Sequence, residues 1–265
     1  MLSKDKLDSL YAEIGKYKNA VVSLSGGTDS IAVAAAAKEV LGAENVVTAT
    51  AITAFLTETE KNMAKAASKR LGLEHRMKRV FLMKSPDVLR NDENRCYYCK
   101  NIILTGIDEV KEGLGFEVVF DGGNATDLNE RRPGTKAVEE HGVVSPLKLA
   151  CFTKEDIYEL MSMYGLDNMI SPSNSCLATR IKTGQEIDLY NLRMICAAET
   201  YMTNMGYSKV RCRVDSNRAL IQVEKSEVPE LIKDSEEIIS ELKLMGFDDV
   251  KIDERGYKNS GEIND

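Results

Sequence analysis

The amino-acid sequence predicts an α/β protein: a parallel sheet flanked by helices, followed by a smaller C-terminal α+β domain. Three observations lead there. Short β-branched runs alternate with helical patterns through the first two-thirds of the chain, and such alternation builds a mostly parallel sheet covered on both faces. The apolar run Ala20-Val21-Val22-Ser23-Leu24 passes through a Gly-Gly turn directly into the apolar stretch Ile31-Ala32-Val33-Ala34-Ala35-Ala36-Ala37, a strand–turn–helix unit with a buried helix. After Ser171-Pro172-Ser173 the pattern changes to long helices and short alternating strands.

In chain order, residues 20–24 read as a strand and 30–41 as a helix. Residues 46–52 form a second strand and 60–71 its helix. Residues 75–80 are a weaker strand and 116–121 (Phe-Glu-Val-Val-Phe-Asp) a strong one, and Val143-Val144 begins another short apolar segment. Thr153 is expected to cap the next helix, with Asp156 in the capping-box position. Beyond it, residues 189–205 and 228–245 read as helices. Residues 210–214 and 219–223 are short strands around the turn Asp215-Ser216-Asn217, and 250–252 is a last strand. The expected domains are therefore 1–179 and 180–265, with a polar tail from residue 256 that frays.

The 265 residues suffice for real cores in two domains, and 43% apolar with 29% charged residues is a globular composition. No apolar run approaches the roughly 20 residues that cross a bilayer. The N-terminus Met1-Leu2-Ser3-Lys4-Asp5-Lys6-Leu7 lacks a signal-peptide core, so a cytoplasmic location is expected. The net charge of −7 argues against a nucleic-acid substrate, because proteins that grip many phosphates are usually basic.

The most informative string is Ser25-Gly26-Gly27-Thr28-Asp29-Ser30. A strand that ends in two glycines and enters a helix aims backbone N–H groups, a helix N-terminus and hydroxyls at one small volume, which suits an anionic phosphate. The plainer alternative is a structural junction with Asp29 or Ser30 as N-cap. The string lacks the Gly-Lys-Ser/Thr ending of a Walker A loop. It resembles instead the loop of the PP-loop ATP pyrophosphatases, which split ATP between the α and β phosphates. Asp121-Gly122-Gly123-Asn124 also follows a strand end, so the two turns are expected to share one mouth. Asp29 is the candidate Mg²⁺ ligand, since that ion takes carboxylate and phosphate oxygens.

Six cysteines in a reducing compartment are expected as thiols serving packing, metal ligation or catalysis. Cys96 and Cys99 form one Cys-x-x-Cys pair, and Cys176 lies in the polar string Asn174-Ser175-Cys176-Leu177-Ala178-Thr179-Arg180. A structural zinc site usually wants four ligands. Three loop cysteines near an ATP site fit a three-ligand 4Fe–4S cluster better. The alternatives for the pair are half-buried helix residues or a redox disulfide. Cys151 and Cys196 have apolar neighbours and are expected to be buried, and Cys212, between Arg211 and Arg213, is expected to point into the small domain's core.

Further strings are Arg95-Cys96-Tyr97-Tyr98-Cys99-Lys100, Arg131-Arg132-Pro133-Gly134, Val144-Ser145-Pro146-Leu147 and Cys176-Leu177-Ala178-Thr179-Arg180-Ile181. Together and in order, the set resembles the LarE family, ATP-dependent sulfurtransferases of nickel-pincer cofactor biosynthesis. The resemblance implies adenylylation of a carboxylate of pyridinium-3,5-biscarboxylic acid mononucleotide by ATP and Mg²⁺, then displacement of AMP by sulfur. It implies that Ser25, Gly26, Gly27, Thr28, Asp29 and Ser30, with Gly122, Gly123 and Asn124, hold ATP. Cys176, Arg180 and Glu199 would be catalytic, and Arg211 and Arg213 would hold the substrate phosphate. Glu199 read by itself is equally a helix-surface residue, and Arg211 and Arg213 equally a solvated strand face.

In the family, sulfur comes either from a sacrificed cysteine at the position of Cys176 or from a sulfide relayed by a 4Fe–4S cluster on three cysteines. Possession of Cys96, Cys99 and Cys176 resembles the second type, with an external sulfide or other sulfur donor. Homo-oligomers are also implied. Two strings depart from the family pattern: Asp121-Gly122-Gly123-Asn124 replaces Asp-Gly-Thr-Asn, and Arg180-Ile181-Lys182-Thr183-Gly184 replaces Arg-Ile-Pro-Tyr-Gly. A different carboxylate or base is thus an alternative substrate. Competing functions are tRNA thiolation, an ammonia-dependent PP-loop synthetase, and a zinc- or cluster-binding regulatory module.

Overall fold

The apolar run at residue 20 forms the inner strand β1 (Ala20–Ser23), with Ala20, Val21 and Val22 fully buried. The computed structural model describes residues 2–126, 133–171 and 174–257. They fall into two units, Met1–Val88 with Glu93–Asn174, and Leu89–Asp92 with Ser175–Asp265.

In the first unit β1 pairs in parallel with β2 (Val46–Ile52) on one side and β4 (Val118–Phe120) on the other. β3 (Glu74–Arg79) pairs in parallel with the outer side of β2, giving the order β3-β2-β1-β4. Glu74, Arg76, Lys78 and Arg79 make β3 a charged edge, which resists pairing with another chain. A parallel bridge from Phe120 to Val144 sets the short apolar segment beside β4. The strand expected over 116–121 is thus shorter, because Glu117 turns outward and its N–H is taken by the Asn19 side chain at 2.7 Å.

Parallel strands need crossovers, and helices supply them. α1 (Lys4–Ile14) precedes β1; its amphipathic pattern buries Leu10 and Ile14. α2 (Thr28–Leu41) buries every residue from Ile31 to Ala37, and its alanines let α1, α3 (Glu58–Leu71) and β1 approach closely. It starts two residues before the expected Ser30. α3 opens with a capping box between Thr57 and Glu60. α4 (Pro86–Leu89) is a single turn, and α5 (Arg95–Leu114) is a 20-residue helix closed by Gly115 in the left-handed conformation. The sequence reading assigned no helix to this stretch and gave helix residues only as an alternative for Cys96 and Cys99, the alternative that α5 matches. α5 buries only Leu104, Gly106 and Ile107, so its apolar period is faint. α6 (Gly134–Glu140) and α7 (Pro146–Leu149) follow, then α8 (Lys154–Met163), with the expected Thr153–Asp156 capping box.

In the second unit α9 (Leu189–Asn204) precedes the antiparallel pair β5 (Arg211–Asp215) and β6 (Arg218–Gln222), whose turn places Ser216 at φ 59°. β7 (Asp249–Ile252) adds in parallel to β6. The helix expected over 228–245 is two helices, α10 (Val228–Lys233) and α11 (Ser235–Leu244). Asp234 leaves helical geometry between them and accepts the Tyr207 hydroxyl at 2.8 Å. The buried Asn91, at φ 53°, donates its amide to the carbonyls of Lys182 and Gln185 at 3.0 and 2.9 Å, which explains why Leu89–Asp92 belongs to this unit. The frayed tail expected from residue 256 lies outside the described residues from 258 onward.

His75 on β3 turns its Nδ1 toward the hydroxyls of Thr48 (3.0 Å) and Ser68 (3.2 Å), while its Nε2 is buried without a hydrogen-bond partner among the described residues. Burial, seconded by the charge of Lys65, holds this imidazole below its ordinary value of 6.5. The folded state therefore keeps His75 neutral where the unfolded chain takes a proton. The stability this confers is present above the unfolded value and is lost as the pH falls through the window below it. The urea midpoint is expected to fall between about pH 7.5 and about pH 5.5, and His75→Gln is expected to shrink that fall.

Candidate active site

The phosphate turn leaves β1 at Leu24, whose N–H bonds the Ala49 carbonyl at 2.8 Å. Gly26 has φ +85°, and a Cβ there would lie 2.3 Å from the Glu60 carbonyl oxygen of α3, so only glycine fits. Gly27 is the N-cap of α2 and supplies no side-chain cap, where Asp29 or Ser30 had been the alternative. No side chain caps the α2 N-terminus, and the first turn of a helix left uncapped is an arrangement that receives an anion. Ser25 and Ser30 lock the turn from inside: their hydroxyls are 3.1 Å apart, and Ser30 donates to the Gly27 carbonyl at 2.9 Å. The Thr28 hydroxyl is tied to the backbone of Ser171, donating to its carbonyl at 3.1 Å and accepting from its N–H at 3.0 Å. It anchors the 171 segment, a role the sequence did not suggest.

Asp121-Gly122-Gly123-Asn124 meets this turn, because β4 ends beside β1. A Cβ on Gly122 would lie 2.8 Å from the Ser30 nitrogen. Asn124, fully buried, donates to Asp29 Oδ2 at 3.0 Å. The same oxygen forms an ion pair with Lys154 Nζ at the start of α8. Asp29 Oδ1 is buried and has no hydrogen-bond partner among the described residues. A hard oxygen left open beside an anion turn is the donor that Mg²⁺ requires, so the residues present fit that ion. Asp121 accepts from Ser145 Oγ at 2.6 Å and pairs with Lys100 at 3.5 Å, one residue beyond Cys99. Lys100, Ser145 and Lys154 were missed as site residues. The Asp-Gly-Gly-Asn and Thr-Lys-Glu-Asp strings were visible, but the contacts join elements far apart in the chain.

In the second unit Arg180 is only 2% exposed. Its Nε and Nη2 bond the two carboxylate oxygens of Glu199 at 2.9 and 3.2 Å, and its Nη1 bonds the carbonyls of Ser175 and Cys176. Glu199 is not helix surface: its Oε1 also accepts the Cys212 N–H at 3.1 Å on the outer edge of β5, the edge that Ile181 bridges at Val214. Arg211 and Arg213 share one face of β5, as strand alternation requires. Arg211 is buried and stacks near the Tyr257 ring, 5.1 Å away, so the solvated-face alternative does not describe it. Arg213 Nε donates to Gln222 Oε1 at 2.7 Å. Burial lowers both arginines from their ordinary value, and the neighbouring Arg180 charge adds to the effect. Arg211 and Arg213 both feel the charges of Arg180 and Glu199, and Arg213 also that of Asp253, so three guanidinium groups lie near one another in a part-buried region; such groups suit phosphate.

All six cysteines are thiols. Cys96 and Cys99, expected in a loop, sit on the first turns of α5, one exposed and one half-buried. Their spacing sets both sulfurs on one helix face, with Arg95 Nη2 3.6 Å from Cys96 Sγ. Such soft ligands suit an iron–sulfur centre. Cys176 lies in the second unit as the N-cap of the short 3₁₀ turn Leu177–Arg180. Among the described residues no group of three His, Cys, Asp or Glu side chains is gathered as a metal site. Cys212 is buried as expected, and burial pushes its thiol far above the ordinary range. Cys151 is exposed, not buried: it stands at φ 55° just after α7, with its side chain turned out of the core that Ala150 and Phe152 enter. Cys196 is half-buried on α9. Arg131 and Arg132 lie outside the described residues.

Residues 3–84, which include the phosphate turn, match the family model described as NAD synthase. An uncharacterized protein of Synechocystis is 33% identical over 263 residues, covering 98% of this chain and 97% of its own. An uncharacterized protein of Methanocaldococcus jannaschii is 30% identical over 254 residues, 96% of each chain. The pyridinium-3,5-bisthiocarboxylic acid mononucleotide synthase of Lactiplantibacillus plantarum is 28% identical over 260 residues, 98% of this chain and 94% of its own. Among the described residues no helix is long and apolar enough to cross a membrane.

Two outcomes follow from this geometry. Gly26→Ala places a methyl group against the Glu60 carbonyl at a positive φ, and is expected to cost about 2 kcal/mol or more in a urea titration and to weaken nucleotide binding measured by calorimetry. Under native conditions iodoacetamide is expected to label Cys96 and Cys151 readily and to leave Cys212 unmodified until the chain is unfolded, as read by peptide mass mapping.

Proposed function

The chain belongs to the LarE family, and from that membership we propose that it is an ATP-dependent sulfurtransferase that converts a carboxylate of a pyridinium mononucleotide into a thiocarboxylate. The observation that carries the reading is the Ser25–Ser30 turn, with its uncapped helix N-terminus and the open, buried Oδ1 of Asp29. The full-length similarity to a synthase of pyridinium-3,5-bisthiocarboxylic acid mononucleotide supports the choice of substrate.

The first unit acts as the nucleotide domain, and the second, which takes in Leu89–Asp92 and begins at Ser175 rather than at the expected residue 180, acts as the substrate domain. The backbone of Ser25, Gly26, Gly27 and Ser30, with Gly122, Gly123 and Asn124, receives the ATP phosphates, and Asp29 Oδ1 would hold Mg²⁺, which would neutralise phosphate charge. A substrate carboxylate oxygen attacks the α-phosphorus and pyrophosphate leaves, a step driven by positioning and by neutralised phosphate charge. Arg211 and Arg213 hold the substrate's own phosphate. Arg180 acts as a positioning residue: with Glu199 it fixes the carbonyls of Ser175 and Cys176, and so the place of the Cys176 thiol. Sulfur then attacks the acyl carbon and AMP departs. Cys96, Cys99 and Cys176 are the ligands proposed for a 4Fe–4S cluster, which would supply an open iron to carry sulfide from an external donor. The same reading makes the protein cytoplasmic and homo-oligomeric.

The test uses protein purified without oxygen and given pyridinium-3,5-biscarboxylic acid mononucleotide, ATP, Mg²⁺ and sulfide. Pyrophosphate release and a product carrying sulfur in place of oxygen, seen by mass spectrometry, are expected. Cys96→Ala, Cys99→Ala and Cys176→Ala are each expected to abolish sulfur transfer while pyrophosphate release continues. Loss of transfer in Cys176→Ala alone would replace the cluster relay by sacrifice of that cysteine. Absence of pyrophosphate release would reject this mononucleotide as substrate.

A further inference from the structure

Lys154 is the first residue of α8, where a cation opposes the positive end of the helix. The helix does not need it: Thr153 and Asp156 already satisfy that terminus through a capping box. Its ammonium group instead reaches across to Asp29, 125 residues earlier, and meets Oδ2 in an ion pair. Both partners are largely shielded, with side-chain exposures of 28% for Lys154 and 21% for Asp29. Asn124 also donates to Oδ2, while Oδ1 is buried with no hydrogen-bond partner among the described residues. A shielded carboxylate needs a counter-charge, and here a side chain of the same unit supplies it.

We propose that Lys154 is a built-in cation that holds the Asp29 metal position in the nucleotide-free protein, so that a divalent ion enters only together with a polyphosphate. The inference rests on the reading of the Ser25–Ser30 turn as an ATP site. A divalent ion arriving alone at Oδ1 meets the ammonium group across one carboxylate, and the repulsion weakens its binding. A nucleoside triphosphate brings enough negative charge for both cations. Its phosphates take up the ammonium group as it leaves Oδ2, and Asp29 is then free to bind the metal. Metal and nucleotide thereby become positively coupled ligands of one site, each improving the other's affinity by the same factor. The protein then carries no bare divalent ion between turnovers.

Mn²⁺, read by the loss of its free paramagnetic-resonance signal, serves as the probe, with α,β-methylene ATP as the nucleotide. The full-length wild type is expected to bind Mn²⁺ weakly alone and about tenfold or more tightly with the nucleotide. Lys154→Gln is expected to bind Mn²⁺ alone about tenfold more tightly than wild type, to bind nucleotide less well, and to lose most of the coupling. Lys154→Arg keeps the charge and is expected to retain weak metal binding. Lys154→Met repeats the removal should the glutamine variant melt early. If neither Lys154→Gln nor Lys154→Met binds Mn²⁺ alone more tightly than wild type, the proposal is overturned. If wild type binds no Mn²⁺–nucleotide at all, the ATP reading itself fails, a result distinct from unchanged metal affinity in the lysine variants.

Discussion

The first unit depends on how closely its backbone can pass at the ends of β1 and β4. Two glycines set that distance. Gly26 brings the phosphate turn against the Glu60 carbonyl, and Gly122 brings the exit of β4 against the nitrogen of Ser30. A side chain at Gly26 would part the turn from α3, and one at Gly122 would part the two turns. Everything polar at the mouth rests on the approach. Asn124 reaches Asp29 because Gly122 lies on α2, and Lys154 reaches the same carboxylate because α8 follows the segment held beside β4 by the Phe120–Val144 bridge. The turn is thus a meeting of four chain segments rather than a motif carried by one.

The second unit is organised around a buried charge pair. Removing either partner of such a pair typically costs about 3–5 kcal/mol, because the other charge is left without compensation. Arg180 also holds two backbone carbonyls, and Glu199 also holds the outward N–H of Cys212. The pair therefore joins the Cys176 turn, α9 and the edge of β5. Arg211 and Arg213 add two further guanidinium groups close to the pair. Net charge does not decide what such a chain binds. At −7 overall, the protein still sets three guanidinium groups near one another in this unit.

Much of this was legible in the sequence, for stated physical reasons. Strand β2 is continuous Val, Thr, Ala and Ile between clear punctuators, and its limits were read as Val46–Ile52. The Thr153–Asp156 box is a local signal and the structure contains it. The family was readable because six strings fall in order along the chain. What escaped notice was non-local or weakly periodic. α5 is half solvent-facing and begins at the Cys-x-x-Cys pair, so the pair looked like a loop. The burial of Arg180 and Glu199 depends on a pairing across nineteen positions that no single window displays. Cys151 was misread because apolar neighbours were taken to imply burial. At φ 55° the backbone reverses, and the cysteine points away from the side Ala150 and Phe152 occupy.

The glycine at position 123, where the family pattern has threonine, has a physical counterpart next to it. A Cβ at 123 would fall 2.9 Å from Ser145 Oγ and 3.2 Å from Asp121 Oδ1. That space is used by the serine hydroxyl, which donates to Asp121, and the Gly123 N–H joins the same oxygen at 3.1 Å. Asp121 is left with its other oxygen toward Lys100. A larger residue at 123 would have to displace Ser145, loosening Asp121 and with it the lysine that follows the cysteine pair. Gly123 is therefore one member of a packed set with Ser145, Asp121 and Lys100. The departure from the family pattern and the position of Lys100 beside the mouth are two consequences of the same close contact.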